Sequence, residues 1–145
     1  MSVEEEKEKL VKSHQGGWTK MTATVDSGSA EHALPSGSYE NVKTTKGEKY
    51  GRKYLTANGE RISNEGQKTM RMTTNEGVPL AIMWQMTKVV KPLLSVKRLS
   101  AGGNVVVLEE ANPRIIDKTG RVTKLRSQGG VFVVDLWVRS EAGSL

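Results

Sequence analysis

The stretch TVDSGSA, Thr24 to Ala30, closes a run in which Met21, Ala23 and Val25 alternate with Lys20, Thr22 and Thr24. Alternation of period two marks a half-buried β-strand, and this one runs straight into a carboxylate, Asp26, followed at once by Ser-Gly. Asp-Ser-Gly is ordinary turn chemistry, since short polar side chains bond their own backbone. At average composition, Asp-Ser/Thr-Gly arises by chance in roughly one chain in fifteen of this length. The rest of the chain has to say whether the turn also aims the carboxylate at something.

Working outward, the other strong signals are also strands. Asn58-Gly59 sits between YLTA and ERIS, which predicts a hairpin with a two-residue type I′ loop. A strand through Lys68–Thr74 puts Met70 and Met72 on one face, and Asn75-Glu76-Gly77 turns it back into a second strand. In that strand Leu80, Ile82, Trp84 and Met86 alternate. LLSVKRL reads as a strand end or one helical turn. VVVLEE, the Asp117-Lys118-Thr119-Gly120 turn and the apolar run GVFVVDLWV complete an all-β, hairpin-rich domain. SAEHALPSG reads as a connection, and residues 38–49 as irregular. Ser2–Lys12 reads as a short capped helix. The predicted organisation is therefore a leader over 1–17, one domain over 18–140 and a tail over 141–145.

At 145 residues, 36% hydrophobic and a mean hydropathy of −0.48, the chain supports one soluble domain with a modest core. No apolar run approaches a membrane span, so no membrane association is expected. Without cysteine there is no disulfide, thiolate chemistry or Cys-based zinc site, and the two histidines, His14 and His32, make a His-rich metal site a poor reading. No cofactor and no metal are expected. A net charge of +6 permits weak association with nucleic acid, but the lysines are scattered and aromatic stacking platforms are few.

Only three aspartates are present: Asp26, Asp117 and Asp135. One carboxylate beside a core edge does little hydrolysis. Two held about 3 Å apart share a proton and act together as base and acid on a water. This chain has one Asp-Ser-Gly. Asp117 stands in Asp-Lys-Thr-Gly, one residue too long, and Asp135 lies within an apolar strand. A second copy of the turn must come from a second chain across a two-fold axis.

Four segments in order carry a resemblance. Asp26-Ser27-Gly28-Ser29-Ala30-Glu31-His32 is similar to Asp-Ser-Gly-Ala-Ser-x-His, and TANGERISNEG stands where a glycine-tipped hairpin is found. KPLLSVKRL is similar to KNLLSVSKL, and NVVVLEE through DKTGRVTKL to GVFVVDL follows the same order. These are motifs of the retropepsin-type aspartic proteases of copia-type LTR retrotransposons, and the resemblance covers residues 21–138.

It implies a retropepsin-like half-barrel of hairpins with one short helix, acting as a homodimer on a peptide or polyprotein substrate. Asp26 would be the catalytic carboxylate. Ser27 would bond across the dimer axis, and Gly28 would turn the backbone tightly and offer its N–H to the carboxylate. Ser29 and Ala30 would line the substrate path. Tyr54–Ile62 would form a flap, with Ala57, Asn58 and Gly59 touching the bound peptide. The location implied is intracellular, cytoplasmic or within virus-like particles.

Ser29 departs from the pattern, standing where the family has alanine, while Ser95 stands, as in copia-type members, where other retropepsins carry glycine. His32 matches a family position and, read alone, is a hydrogen-bonded structural histidine. Trp84 and Trp137 read as core or dimer contacts. Two other readings compete: the same fold kept as a catalytically silent peptide-binding or assembly module, and a small basic β-barrel that binds nucleic acid. A serine mechanism on Ser27 or Ser29 with His32 lacks a separate orienting acid.

Overall fold

The computed structural model describes residues 17–139. The predicted leader helix Ser2–Lys12 and the tail 141–145 lie outside the described residues. The strands are β1 (Trp18–Asp26), β2 (Ala33–Pro35), β3 (Lys53–Leu55), β4 (Arg61–Ser63), β5 (Gln67–Thr74), β6 (Pro79–Thr87) and β7 (Leu93–Ser95). After one short helix, α1 (Val96–Ala101), come β8 (Val105–Val107), β9 (Arg114–Ile116), β10 (Val122–Lys124), β11 (Arg126–Gln128) and β12 (Val131–Arg139). The all-β expectation holds.

The long strands form where alternation is strongest. In β1 the apolar residues Met21, Ala23 and Val25 are buried, and in β5 Met70 and Met72 face the same interior. β6 adds Ile82, Trp84 and Met86. Each of the valine, isoleucine and methionine side chains contributes roughly 1.5–3 kcal/mol when fully buried. With Leu34, Leu94, Val134, Leu136 and Val138 they make one continuous core. Trp84, fully buried at its centre, is a core residue as read, and its truncation to alanine is of the class that costs about 3–5 kcal/mol.

The half-barrel expectation is corrected by closure. Six strands, β1-β7-β2-β6-β5-β12, form a barrel that closes on itself through β1–β12, with β11 added outside β12. Closure is possible because β1 changes partner along its length. Trp18–Thr24 pair antiparallel with Arg139–Val133, and Thr24–Asp26 then pair parallel with Leu93–Ser95 of β7. The expected succession of hairpins is therefore broken twice by parallel pairs, β1–β7 and β2–β6. Parallel neighbours need long connections and leave no local signal. For the same reason SAEHALPSG is not only a connection: Ala33–Pro35 within it is a strand, with Leu34 wholly buried.

LLSVKRL contains both predicted alternatives in succession, β7 and then α1, with Ser95 as the N-cap. The Asp117 turn joins β9 to β10 in a separate three-stranded sheet with β8. The hairpin around Asn58-Gly59 is present as β3–β4, but its loop is not type I′. Leu55 pairs with Arg61, and Gly59 alone in the loop has a positive φ, 86°. The Gly59 amide donates to the Thr56 carbonyl and the Thr56 amide to the Glu60 carbonyl. That is a longer turn ending in a glycine bulge, in which Asn58 need not adopt the left-handed conformation.

Candidate active site at the Asp26 turn

Asp26 is the last residue of β1 and is half-exposed at the end of the sheet. The Gly28 amide donates to its Oδ1 at 2.8 Å, the bond expected of that glycine. Gly28 is not in the left-handed region. A Cβ there would lie 3.4 Å from Asp26 Oδ1, an ordinary contact, so neither the backbone conformation nor space demands glycine at this position. Ser27, Gly28 and Ala30 are exposed, and Ser29 is half-buried. All five predicted residues from Asp26 to Ala30 thus belong to one short turn.

Ser95 holds that turn in place. It is the register partner of Asp26 in the parallel pair. Its hydroxyl donates to the Ser29 carbonyl at 2.7 Å and accepts from the Arg98 amide at 3.1 Å, and its own amide donates to His32 Nδ1 at 3.0 Å. Ser29 and Ser95 therefore meet at this turn. Ser95 adds a hydroxyl whose partner is the backbone of Ser29, while the Ser29 hydroxyl donates to the Glu31 carbonyl at 2.6 Å. Ser95 is completely buried with all these bonds made, which is the condition under which a polar side chain rigidifies its surroundings.

Behind the turn lies a charged cluster that sequence reasoning missed. Glu31 is buried, accepts from Arg98 Nε at 2.8 Å, and is also ion-paired with Lys49. Burial alone would raise its pKa, but the two cations outweigh that and hold it below the usual carboxylate value. His32 is pushed down to about 4, first by burial, then by Arg98 and Lys49 against the opposing effect of Glu31. Its ring meets Trp84 edge-on with centroids 6.0 Å apart. At neutral pH it is an uncharged acceptor for the Ser95 amide, the structural histidine expected. Among the described residues no serine–histidine hydrogen bond joins it to Ser27 or Ser29.

The other aspartates are engaged elsewhere. Asp135 is buried, its oxygens bound by Arg126 Nε at 2.9 Å, Arg126 Nη2 at 3.0 Å and the Thr22 hydroxyl at 2.8 Å. Asp117 caps its own turn, accepting from the Thr119 amide and hydroxyl, the Arg121 amide and Arg121 Nε. Those bonds, led by the Thr119 hydroxyl, lower it to about 2. Among the described residues, Asp26 is the one aspartate with no cation against it.

The predicted flap is a separate feature. Ala57, Asn58 and Gly59 are exposed at its tip. Its base is fixed to the barrel through Asn64, whose amide donates to the Tyr54 hydroxyl at 3.0 Å and to Gln85 Oε1 at 2.7 Å, and through the Thr87 hydroxyl on the Ser63 carbonyl at 2.8 Å. Among the described residues no hydrogen bond or ion pair links the hairpin tip to the Asp26 turn. A cavity of about 730 Å³ lies elsewhere, between β6, α1 and the β8–β10 sheet, with Glu31 and His32 at its margin. It does not include residues 26–30.

No helix among the described residues is long and apolar enough to cross a membrane. Compared with known proteins, the chain matches no protein-family model, no curated protein and no solved structure.

Proposed function

We propose that the chain is an aspartic endopeptidase of retropepsin type, acting as a homodimer in which two Asp26 carboxylates form the catalytic pair. One observation carries the reading: Asp26 stands at the open end of a braced parallel strand pair, with only the Gly28 amide bonded to it among the described residues. A carboxylate kept free of cations in a rigid turn is suited to sharing a proton with its twin. The ordered sequence resemblance supports the same reading.

In the dimer the ionised carboxylate takes a proton from water as the oxygen attacks the peptide carbonyl carbon. The protonated carboxyl gives its proton to the carbonyl oxygen, forming a tetrahedral diol. A proton then passes to the amide nitrogen as the C–N bond breaks, releasing an acid and an amine and restoring the shared proton. Ser27 orients the opposite turn, and Gly28 holds Oδ1. Ser29 and Ala30 border the peptide, and Ala57, Asn58 and Gly59 cover it. A polyprotein is the substrate class this reading assigns.

Two coupled carboxylates titrate as a pair, so kcat/KM on a peptide library should be bell-shaped with its maximum on the acidic side of neutral. A profile rising to a plateau above neutrality would contradict the pair. Peptide binding without cleavage at any pH would instead identify the catalytically silent module.

A further inference from the structure

Strand β6 has two edges, and only one is filled along its length. β5 pairs with it from Pro79 to Gln85, whereas β2 covers the opposite edge only at Gln85, Met86 and Thr87. The Gln85 amide, donating to the His32 carbonyl at 2.8 Å, marks the β2 side, and the Met86 amide, donating to the Gly66 carbonyl at 2.8 Å, marks the other. Backbone groups of alternate residues point the same way, so Met83 and Ala81 turn their N–H and C=O groups toward the edge that β2 leaves bare. Among the described residues no hydrogen bond from another segment reaches those four groups.

That edge borders the cavity of about 730 Å³, whose apolar wall includes Leu80, Ile82, Leu94, Leu99 and Ile115. Pro79, with no N–H, blunts only the start of the strand. Much of the charge at the margin is neutralised from within, Glu31 by Arg98 and Lys49 and Asp117 by Arg121, and so gives little selection for a charged guest. Alternating donors and acceptors beside an apolar recess match an extended backbone carrying an apolar side chain.

We propose that β6 accepts a further strand along Ala81–Met83: an extended, uncharged peptide segment that pairs with the free edge and places one apolar side chain in the cavity. The site is separate from Asp26 and does not depend on the chain cutting anything.

The probe is acetyl-Thr-Leu-Thr-Leu-Thr-amide, with a twin N-methylated on the backbone positions that would face β6. Hydrogen exchange of the Ala81 and Met83 amides is followed by NMR on the full chain. Saturating peptide should slow both by roughly tenfold or more, and the twin should not. The same protection is expected in Asp26→Asn. Ala81→Pro removes a donor that pairs with nothing among the described residues and should weaken binding by about tenfold or more. If that variant fails to fold, the N-methylated twin still decides. Equal binding of the twin, or no slowing at Ala81 and Met83, would overturn the proposal. So would protection that grows with protein concentration in the absence of peptide, which would assign the edge to a second copy of the chain.

Discussion

Two turns in this molecule begin with an aspartate and return through glycine, yet they leave the carboxylate in opposite conditions. At Asp117 both oxygens are engaged by the turn and by Arg121, and the group is lowered to about 2. At Asp26 the turn supplies one amide, and the stiffness comes from neighbours that make no hydrogen bond to the carboxylate: Ser95, His32 and the Glu31 cluster. A carboxylate that holds its own turn together has little capacity left for chemistry. One held by its surroundings retains it.

The sharpest way to break this comparison is to neutralise each aspartate in turn. Asp26→Asn should lower kcat/KM by roughly a thousandfold or more while the melting temperature stays close to that of the parent, since the change is isosteric. Asp117→Asn should do the reverse, leaving kcat/KM within about threefold and lowering the melting temperature. Peptide cleavage and thermal melts on both variants provide the test. Comparable activity loss in both would remove the distinction.

A smaller effect probes the brace. Ser95→Ala deletes the hydroxyl that joins the Ser29 carbonyl to the first turn of α1, leaving a buried acceptor and a cap unmade. Denaturant unfolding should show a loss of about 1–3 kcal/mol, with kcat/KM reduced about tenfold. Unchanged stability would mean that Ser95 does not brace the turn.

How far the sequence reaches follows from the same contrast. Met21, Ala23 and Val25, or Leu80 through Met86, declare their strands because alternation is local and one face is buried. β2 and β7 are three residues each and pair in parallel with distant partners, so nothing near them in sequence specifies a ladder. Asn58-Gly59 marked the hairpin correctly but not its loop, because a glycine bulge asks only Gly59 for a positive φ. Asp26 and Gly28 were legible from the motif. Glu31, Lys49 and Arg98 were not: they lie far apart in the chain and meet only once β7 and α1 are packed. Lys68 was equally hidden, read as one end of a strand but found buried, its ammonium donating to the Ser38 and Tyr39 carbonyls at 2.6 Å each.

The least of the expected effects concerns His32. Its folded pKa lies near 4, against about 6.5 unfolded. Between those values the unfolded chain binds a proton that the folded chain does not, so stability is greatest above about 6.5 and falls as the pH drops towards 4. After allowance for partial solvent exposure, the loss is on the order of 1–2 kcal/mol. His32→Gln, which keeps an acceptor for the Ser95 amide without the titration, should flatten that slope, read from unfolding curves, in the upper part of this window, where the carboxylates of Glu31, Asp117 and Asp135 stay ionised in both states. An identical slope in the variant would assign it to other groups.

Mixing of subunits tests the central claim most directly. With the active chain at fixed concentration, an excess of Asp26→Asn is added and the exchanged mixture is assayed for peptide cleavage. If each active unit needs one Asp26 from each of two chains, a ninefold excess should draw most active chains into one-carboxylate dimers and reduce the rate to about one-tenth. A rate that stays constant throughout the titration would show that a single chain carries the activity, and the paired Asp26 account would be wrong.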